Sequence, residues 1–275
     1  MPKQITSAVL ATRSCAVALA WCCAAASASA ATPLSERYEG LAHARTADKR
    51  LVYRETHWLY MEAGVRQHLV LYSCPDGTPF ARKRLRESPS ADMPDFDFHD
   101  ARDGYREGVR GRGANREIYV QASSTAAVQT KPLPSLDGAV IDAGFDAYVR
   151  GHWSALTGGQ GIKVPFLIPS RFDYLDFTIA NARDAVIDGL PVRRLRMKLS
   201  AWYGFVVPAI DLAYERDGSR LVEFQGIGTI RDTQGRHEEV RIDFPLRQRT
   251  ESPAASEIAQ AIAQPLAQAC PSEHP

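Results

Sequence analysis

Three polar side chains lie at alternate positions of one predicted strand. Tyr53, Glu55 and His57 occur at i, i+2 and i+4, so an extended backbone would point them to the same side. A carboxylate beside an imidazole can perform general acid–base catalysis, which indicates a hydrolase-type enzyme using Glu55 and His57. The same pattern is typical of the polar face of a sheet with no catalytic role. Both interpretations stay open at the level of sequence.

A second group of residues has the chemistry of metal ligands. Asp95, Asp97, His99 and Asp100 are close in sequence, but metal sites require a defined geometry as well as ligand type. The glycine and the distal glutamate of a calcium loop are missing. We therefore favour a solvated acidic loop and predict neither a metal site nor a cofactor. The chain also lacks a Gly-x-Ser-x-Gly or HExxH motif, so no catalytic nucleophile is predicted.

Aromatic side chains are concentrated in two stretches. Phe145, Tyr148 and Trp153 share helical spacing, and Trp202 and Phe205 lie near a predicted strand corner. Ordinary core packing explains such clusters. A functional alternative is an apolar cavity between a curved sheet and a helix. These five residues are therefore candidate lining residues for a lipid or another apolar small molecule.

Alternation of apolar and polar residues predicts the strands that must position these groups. Residues 192–244 contain four runs with a period of two, which indicates four consecutive strands with one buried face. The Asp217-Gly218 pair between the second and third runs is a strong hairpin signal. Residues 37–86 predict another meander of about four strands. The sequence thus predicts a large, curved antiparallel sheet or a half-open barrel.

Two helices complete the predicted fold, which is mainly β with an α+β organisation. Residues 142–156 have a helical apolar stripe, with Asp142 as the predicted N-cap. This central helix should pack on the sheet. Residues 253–268 predict a short C-terminal helix interrupted at Pro265.

The first 30 residues have the features of a cleaved secretory signal peptide. Lys3 and Arg13 form a basic start, residues 15–26 are apolar, and Ala28-Ser29-Ala30 fits a cleavage site. A lipoprotein signal and an uncleaved anchor are the alternatives. We therefore expect an exported protein of the periplasm in a Gram-negative envelope.

The remaining residues, 31–275, are predicted to form a single β-rich domain. Within it, residues 87–136 are interpreted as an irregular, charged and polar insertion that contains strand candidates at 95–98 and 116–122. Residues 253–275 are interpreted as the C-terminal helix and tail. Over the full chain, 33 basic and 32 acidic residues nearly balance, so no overall field would attract nucleic acid. No stable membrane span is predicted in this part. Protein partners are unknown.

Two cysteines lie outside the predicted signal peptide. The chain has five in all, and Cys74 and Cys270 are the two beyond residue 30. In an oxidising compartment such a pair favours a disulfide. Two unpaired thiols are the alternative.

Several turn motifs resemble those of uncharacterised exported proteins of Gram-negative bacteria. They are the Tyr38-Glu39-Gly40 opening, the run at residues 51–55, the Pro75-Asp76-Gly77 turn and the hairpin at residues 214–226. The order of strands and helix is remotely similar to periplasmic lipoprotein-carrier-like and DUF3108-like β-rich proteins. This resemblance implies a half-open antiparallel barrel closed by helices over an apolar cavity, and no family site residue matches.

Three functional hypotheses follow. The first is a non-enzymatic periplasmic protein that binds a lipid or another apolar ligand between sheet and helix. The second is a hydrolase-type enzyme that uses Glu55 and His57. The third is an envelope structural or assembly protein that acts through exposed sheet edges.

Overall fold

The computed structural model describes residue 1 and residues 35–200, 208–232 and 234–271, with the backbone alone at residue 181. The predicted signal peptide beyond its first residue lies outside this part, as do the candidate lining residues Trp202 and Phe205. The described residues contain one sheet of 15 strands, and its strand pairs are antiparallel. The predicted fold class, mainly antiparallel β with few helices, is confirmed.

The first half of the sheet is a meander that leads from the sheet centre to one edge. It starts near the first described residues, and each strand pairs with the next along the chain. Its members are β1 (Glu36–Ala44), β2 (Leu51–Glu62), β3 (Val65–Ser73), β4 (Pro79–Arg86), β5 (Asp95–Asp100), β6 (Tyr105–Arg110), β7 (Glu117–Gln121) and β8 (Gln129–Pro132).

The second half leads from the opposite edge back to the centre, where its strand at residues 237–243 pairs with β1. It contains the four consecutive strands predicted in residues 192–244, which are confirmed. Its members are β9 (Ile162–Ile168), β10 (Asp173–Ile187), β11 (Leu190–Leu199), β12 (Ile210–Glu215), β13 (Leu221–Arg231), β14 (His237–Asp243) and β15 (Thr250–Glu251), which pairs with β1.

The prediction of an irregular insertion at residues 87–136 is wrong, because β5–β8 continue the meander through it. In β5, Phe96, Phe98 and Asp100 are buried, while the alternate side chains point outward. The charges that suggested a loop are paired across strands: Arg116 binds Asp95 at 2.9 Å. The strand candidates at 95–98 and 116–122 correspond to β5 and β7, and the charged stretch between them forms β6.

The two edges of the sheet approach each other, so the sheet is strongly curved. The chain crosses from β8 at one edge to β9 at the other, and residues near the two edges are in contact. The Lys131 ammonium lies 5.2 Å from the Phe172 ring centroid, and the Tyr174 hydroxyl donates to the Pro134 carbonyl at 3.3 Å. No ladder joins β8 to β9 in the described residues, which makes the architecture a half-open barrel.

Two short helices lie in this crossing, where one helix from 142 to 156 was predicted. They are α1 (Gly144–Gly151) and α2 (Trp153–Thr157), separated at His152. The predicted N-cap is also wrong, since Ala143 occupies that position. Asp142 instead adopts a positive φ of 46° and forms an ion pair at 2.8 Å with the buried Lys83 ammonium. That buried cation requires a carboxylate partner, and Asp142 supplies it.

The last helix, α3 (Ala255–Ala263), ends before Pro265 and packs on the outer face of β2 and β3. Its buried Ile258 contacts a cluster formed by Trp58, Leu69 and Leu71. The Trp58 indole N–H donates to Glu257 at 2.9 Å. None of the helices in the described part of the chain has the length and apolar content needed to cross a membrane.

The predicted disulfide between Cys74 and Cys270 is confirmed. The Cα atoms are 5.6 Å apart and the sequence separation is 196 residues. Cys74 lies in the main core with 1% of its surface exposed. The bridge therefore anchors the segment that follows α3 to the end of β3.

Candidate functional site

Glu55 and His57 meet on the concave face of the sheet, as an acid–base function would require. Both are buried, and His57 Nε2 lies 3.0 Å from Glu55 Oε2. The prediction that alternate positions of one strand face the same way is confirmed here, because both belong to β2. Tyr53 points the same way but is not hydrogen bonded to them.

A second imidazole extends this pair. His57 Nδ1 lies 2.9 Å from His68 Nε2 on β3. Because an ionised carboxylate only accepts, the order that satisfies all three groups has His57 Nε2–H donating to Glu55 and His68 Nε2–H donating to His57 Nδ1. Burial, followed by the neighbouring His57, holds the pKa of His68 well below its usual value. A neutral His68 suits this order.

Aromatic stacking fixes the orientation of His57. The Tyr38 ring on β1 stacks on it with centroids 4.4 Å apart and planes 7° from parallel. The Arg249 guanidinium covers the other face of Tyr38 at 4.5 Å, and the buried Glu36 holds Arg249 at 2.9 Å. A cation over a ring face is attracted to the ring quadrupole. This Arg249–Tyr38–His57 stack leaves His57 little rotational freedom.

Helix α1 brings a carboxylate to the same interior. Burial is the main cause that raises the pKa of Tyr38, and the negative charge of Asp146 is the second. The Asp146 carboxylate is therefore near the Tyr38 hydroxyl. Burial likewise raises the pKa of Asp146 itself, with Arg150 at 3.1 Å opposing that effect. Yet the Asp146 side chain keeps 38% of its surface exposed. Asp146 is therefore partly accessible to solvent beside Tyr38, and we infer a recess at this point.

Asp146 also has spare acceptor capacity. Apart from the hydrogen bond that the Tyr214 hydroxyl donates to the carboxylate, its buried Oδ1 finds no partner among the described residues. Buried polar atoms are nearly always hydrogen bonded. A ligand or a water molecule in the recess would satisfy this one.

The three candidate lining residues that the structure describes pack into a second core between α1, α2 and strands β9–β12. Phe145 meets Phe166 edge-on at 6.1 Å, and Trp153 meets Tyr214 at 5.7 Å. Tyr148 is buried and stacks on His152. These contacts hold α1 against the sheet. Their role as ligand-lining residues stays a prediction.

The predicted metal-ligand types do not converge. Because side chains alternate along β5, Asp95, Asp97 and His99 point outward, whereas Asp100 points inward and binds Arg102 at 2.6 Å. In the part of the chain that the structure describes, no three His, Cys, Asp or Glu side chains are placed to hold a metal ion.

His68, Tyr38 and Asp146 were not predicted from the sequence as site residues. The sequence does contain a signal for His68, because the turn at residues 62–64 sets the strand register that pairs Leu59 with His68. Diagonal neighbours across a hairpin are within reach of each other. Asp146 had none, because its position depends on how α1 docks on a sheet formed by distant strands.

Comparisons with known proteins find distant structural likenesses and no family. No protein-family model matches the chain, and no curated protein matches it. A β-barrel-like protein of the domain of unknown function DUF1849 from Brucella abortus is similar with 10% identity and a TM-score of 0.48, over 80% of this chain and 99% of that one. A DUF1329 family protein from Desulfovibrio piger ATCC 29098 has 9% identity and a TM-score of 0.27, over 82% and 89%. Neither likeness carries an argument about this chain.

Proposed function

We propose that this chain is an exported, periplasmic binding protein that takes up an amphipathic, lipid-like ligand in the recess between α1 and the concave face of the sheet. The observation that carries the proposal is Asp146, whose side chain keeps 38% of its surface exposed and whose carboxylate can accept more than the hydrogen bond from Tyr214. Such a carboxylate would accept a hydrogen bond from a hydroxyl or ammonium group of the ligand.

The surroundings of Asp146 suit the apolar part of such a ligand. Phe145, which precedes it on α1, is only partly buried. Tyr38 and Phe244 are adjacent on the sheet, with ring centroids 6.0 Å apart. Ligand sites commonly combine apolar walls with a few polar groups that fix orientation. Binding would be driven by removal of apolar surface from water, at about 25 cal/mol per Å².

Binding is tested with the full chain expressed and purified from the envelope fraction. Native mass spectrometry would look for a co-purified lipid, and a fluorescent fatty acid would be titrated into the delipidated protein. We expect saturable binding that Asp146→Ala weakens about tenfold, the effect of losing one charge-assisted hydrogen bond. Asp137→Ala, which removes the same charge from an exposed loop, should bind like the wild type. Absence of both the lipid and saturable probe binding would refute the proposal.

A second candidate function is acid–base catalysis, and the Glu55–His57–His68 chain favours it. Its two contacts of 3.0 and 2.9 Å have the geometry of an oriented general base. No serine, threonine or cysteine side chain of the described residues is hydrogen bonded to either imidazole, so this base would act on water. Turnover of chromogenic esters that His57→Gln abolishes and His43→Gln preserves would support it. Equal rates in the two variants would exclude it.

A further inference from the structure

A β-bulge in the β10–β11 hairpin opens a recess on the outer face of the sheet. Ala180 pairs with Arg196 and Arg183 pairs with Arg194, so residues 181 and 182 together oppose the single Leu195. Two residues against one is the signature of a bulge, which bends the strand and re-aims side chains. The recess at this bend has a volume of about 370 Å³.

Three arginines and one aspartate provide the charge around this recess: Arg183, Arg194, Arg196 and Asp211. Because Arg183 and Arg194 are directly opposite in register, their side chains stand side by side on one face. Like charges in that arrangement repel and destabilise the pairing. An anion between them would turn this repulsion into attraction.

Carboxylates hold two of the arginines in place. Arg194 Nη1 lies 2.7 Å from Oε1 of Glu223, which is only 2% exposed and whose other oxygen binds Arg241 at 3.0 Å. Arg196 forms a two-pronged contact with Asp211 at 2.6 and 2.7 Å. Ordering by these carboxylates lowers the entropy that a ligand must remove on binding.

Most N–H donors of these guanidinium groups stay available. A guanidinium has five N–H donors, whereas Arg194 uses one and Arg196 uses two in the contacts above. The side chain of the exposed Arg183 makes no hydrogen bond or ion pair with any described residue. Planar forks of this kind match the oxygens of phosphate and carboxylate groups.

We propose that this bulge recess is a binding site for a small oxyanion, a phosphate or carboxylate group gripped by Arg183, Arg194 and Arg196. Its volume is within the range of small-molecule sites, so the anionic group can belong to a larger metabolite. The site is on the outer face of the sheet, away from the concave recess, and does not depend on the function proposed above.

The test is a titration of the purified protein with sodium phosphate and, separately, sodium acetate, each against sodium chloride at equal ionic strength. Calorimetry would give affinity, and amide chemical shifts would give location. We expect saturation with a Kd of about 1 mM or tighter, and shifts centred on residues 182–183 and 194–196. Preference for phosphate or for acetate then tells which group the natural ligand carries. No saturation with either anion overturns the proposal.

Variants separate a built site from diffuse charge. Arg183→Gln should weaken binding about tenfold, the loss of one charge-assisted contact. Lys198→Gln removes the same charge from an exposed position on β11 outside the recess and should change the Kd less than twofold. Equal weakening by both would overturn the proposal. If Arg183→Gln fails to fold, Arg183→Lys replaces it. The melting temperature of the wild type is an independent measurement. If phosphate raises it no more than chloride does, the result counts against the site.

Discussion

Replacing both Cys74 and Cys270 with alanine should remove a large share of the stability of this protein. The bridge joins residues 196 apart in sequence, so it restricts most of the described chain in the unfolded state. The native fold should change little, since α3 is also held by the Trp58–Glu257 hydrogen bond and by Arg84, which donates to the Ile262 carbonyl at 3.1 Å.

The magnitude follows from loop closure. For a loop of this length, the chain-entropy relation gives about 18 cal/mol/K, or about 5 kcal/mol at 25 °C. Loss of the Cys74 sulfur from the core, where only 1% of the residue is exposed, adds about 1 kcal/mol. Domains are stable by about 5–15 kcal/mol in total. We therefore expect a melting temperature lower by about 10–20 °C.

Urea unfolding followed by tryptophan fluorescence would measure this loss. The wild type and the Cys74→Ala/Cys270→Ala variant are each compared with and without a reducing agent. Reduction should destabilise the wild type to about the level of the variant and leave the variant unchanged. The variant should also show a larger m-value, because its unfolded state is less compact.

A variant within about 1 kcal/mol of the oxidised wild type would refute the reasoning, as the loop term alone is several times larger. So would an equal response of both proteins to the reducing agent, since only the wild type has this bridge to lose.

Three further outcomes are expected from urea unfolding. The pKa of His68 in the folded protein lies well below its ordinary value of 6.5, so on acidification the unfolded state binds the proton first. The free energy of unfolding therefore falls as pH drops from about 6.5 towards the folded pKa. His68→Gln should flatten this pH dependence, and an unchanged pH dependence would contradict the reasoning. Gly108→Ala should cost several times the roughly 1 kcal/mol expected for Gly64→Ala. A Cβ at residue 108 would lie 2.1 Å from the Phe96 carbonyl oxygen, whereas a Cβ at residue 64 would meet no atom within 4 Å and only the φ of +76° disfavours it. Equal losses of unfolding free energy in the two variants would contradict this. Trp58→Ala should cost about 3–5 kcal/mol and expose α3 to limited proteolysis, since its indole packs beneath that helix; an intact α3 would contradict this.

Much of the fold could be read from local pattern. The four strands of residues 192–244 and the Asp217-Gly218 turn are where alternation and turn chemistry place them. The reason is that the period of two and the φ preferences of turn residues act over a few positions. The prediction of an irregular insertion at residues 87–136 was wrong for a related reason. Outward charges there pair with neighbouring strands, as Arg106 does with Asp97 at 3.1 Å, and such pairing cannot be seen in one segment.

The sequence by itself determined the strands, the face on which Glu55 and His57 stand, and which two cysteines could pair beyond residue 30. Only the tertiary structure decided what meets those groups. The contact of His68 with His57, the recess at Asp146 and the opposed Arg183 and Arg194 depend on register, a bulge and helix docking. Side-chain direction is a local property of an extended backbone, whereas proximity is set by how strands distant in sequence close around one interior.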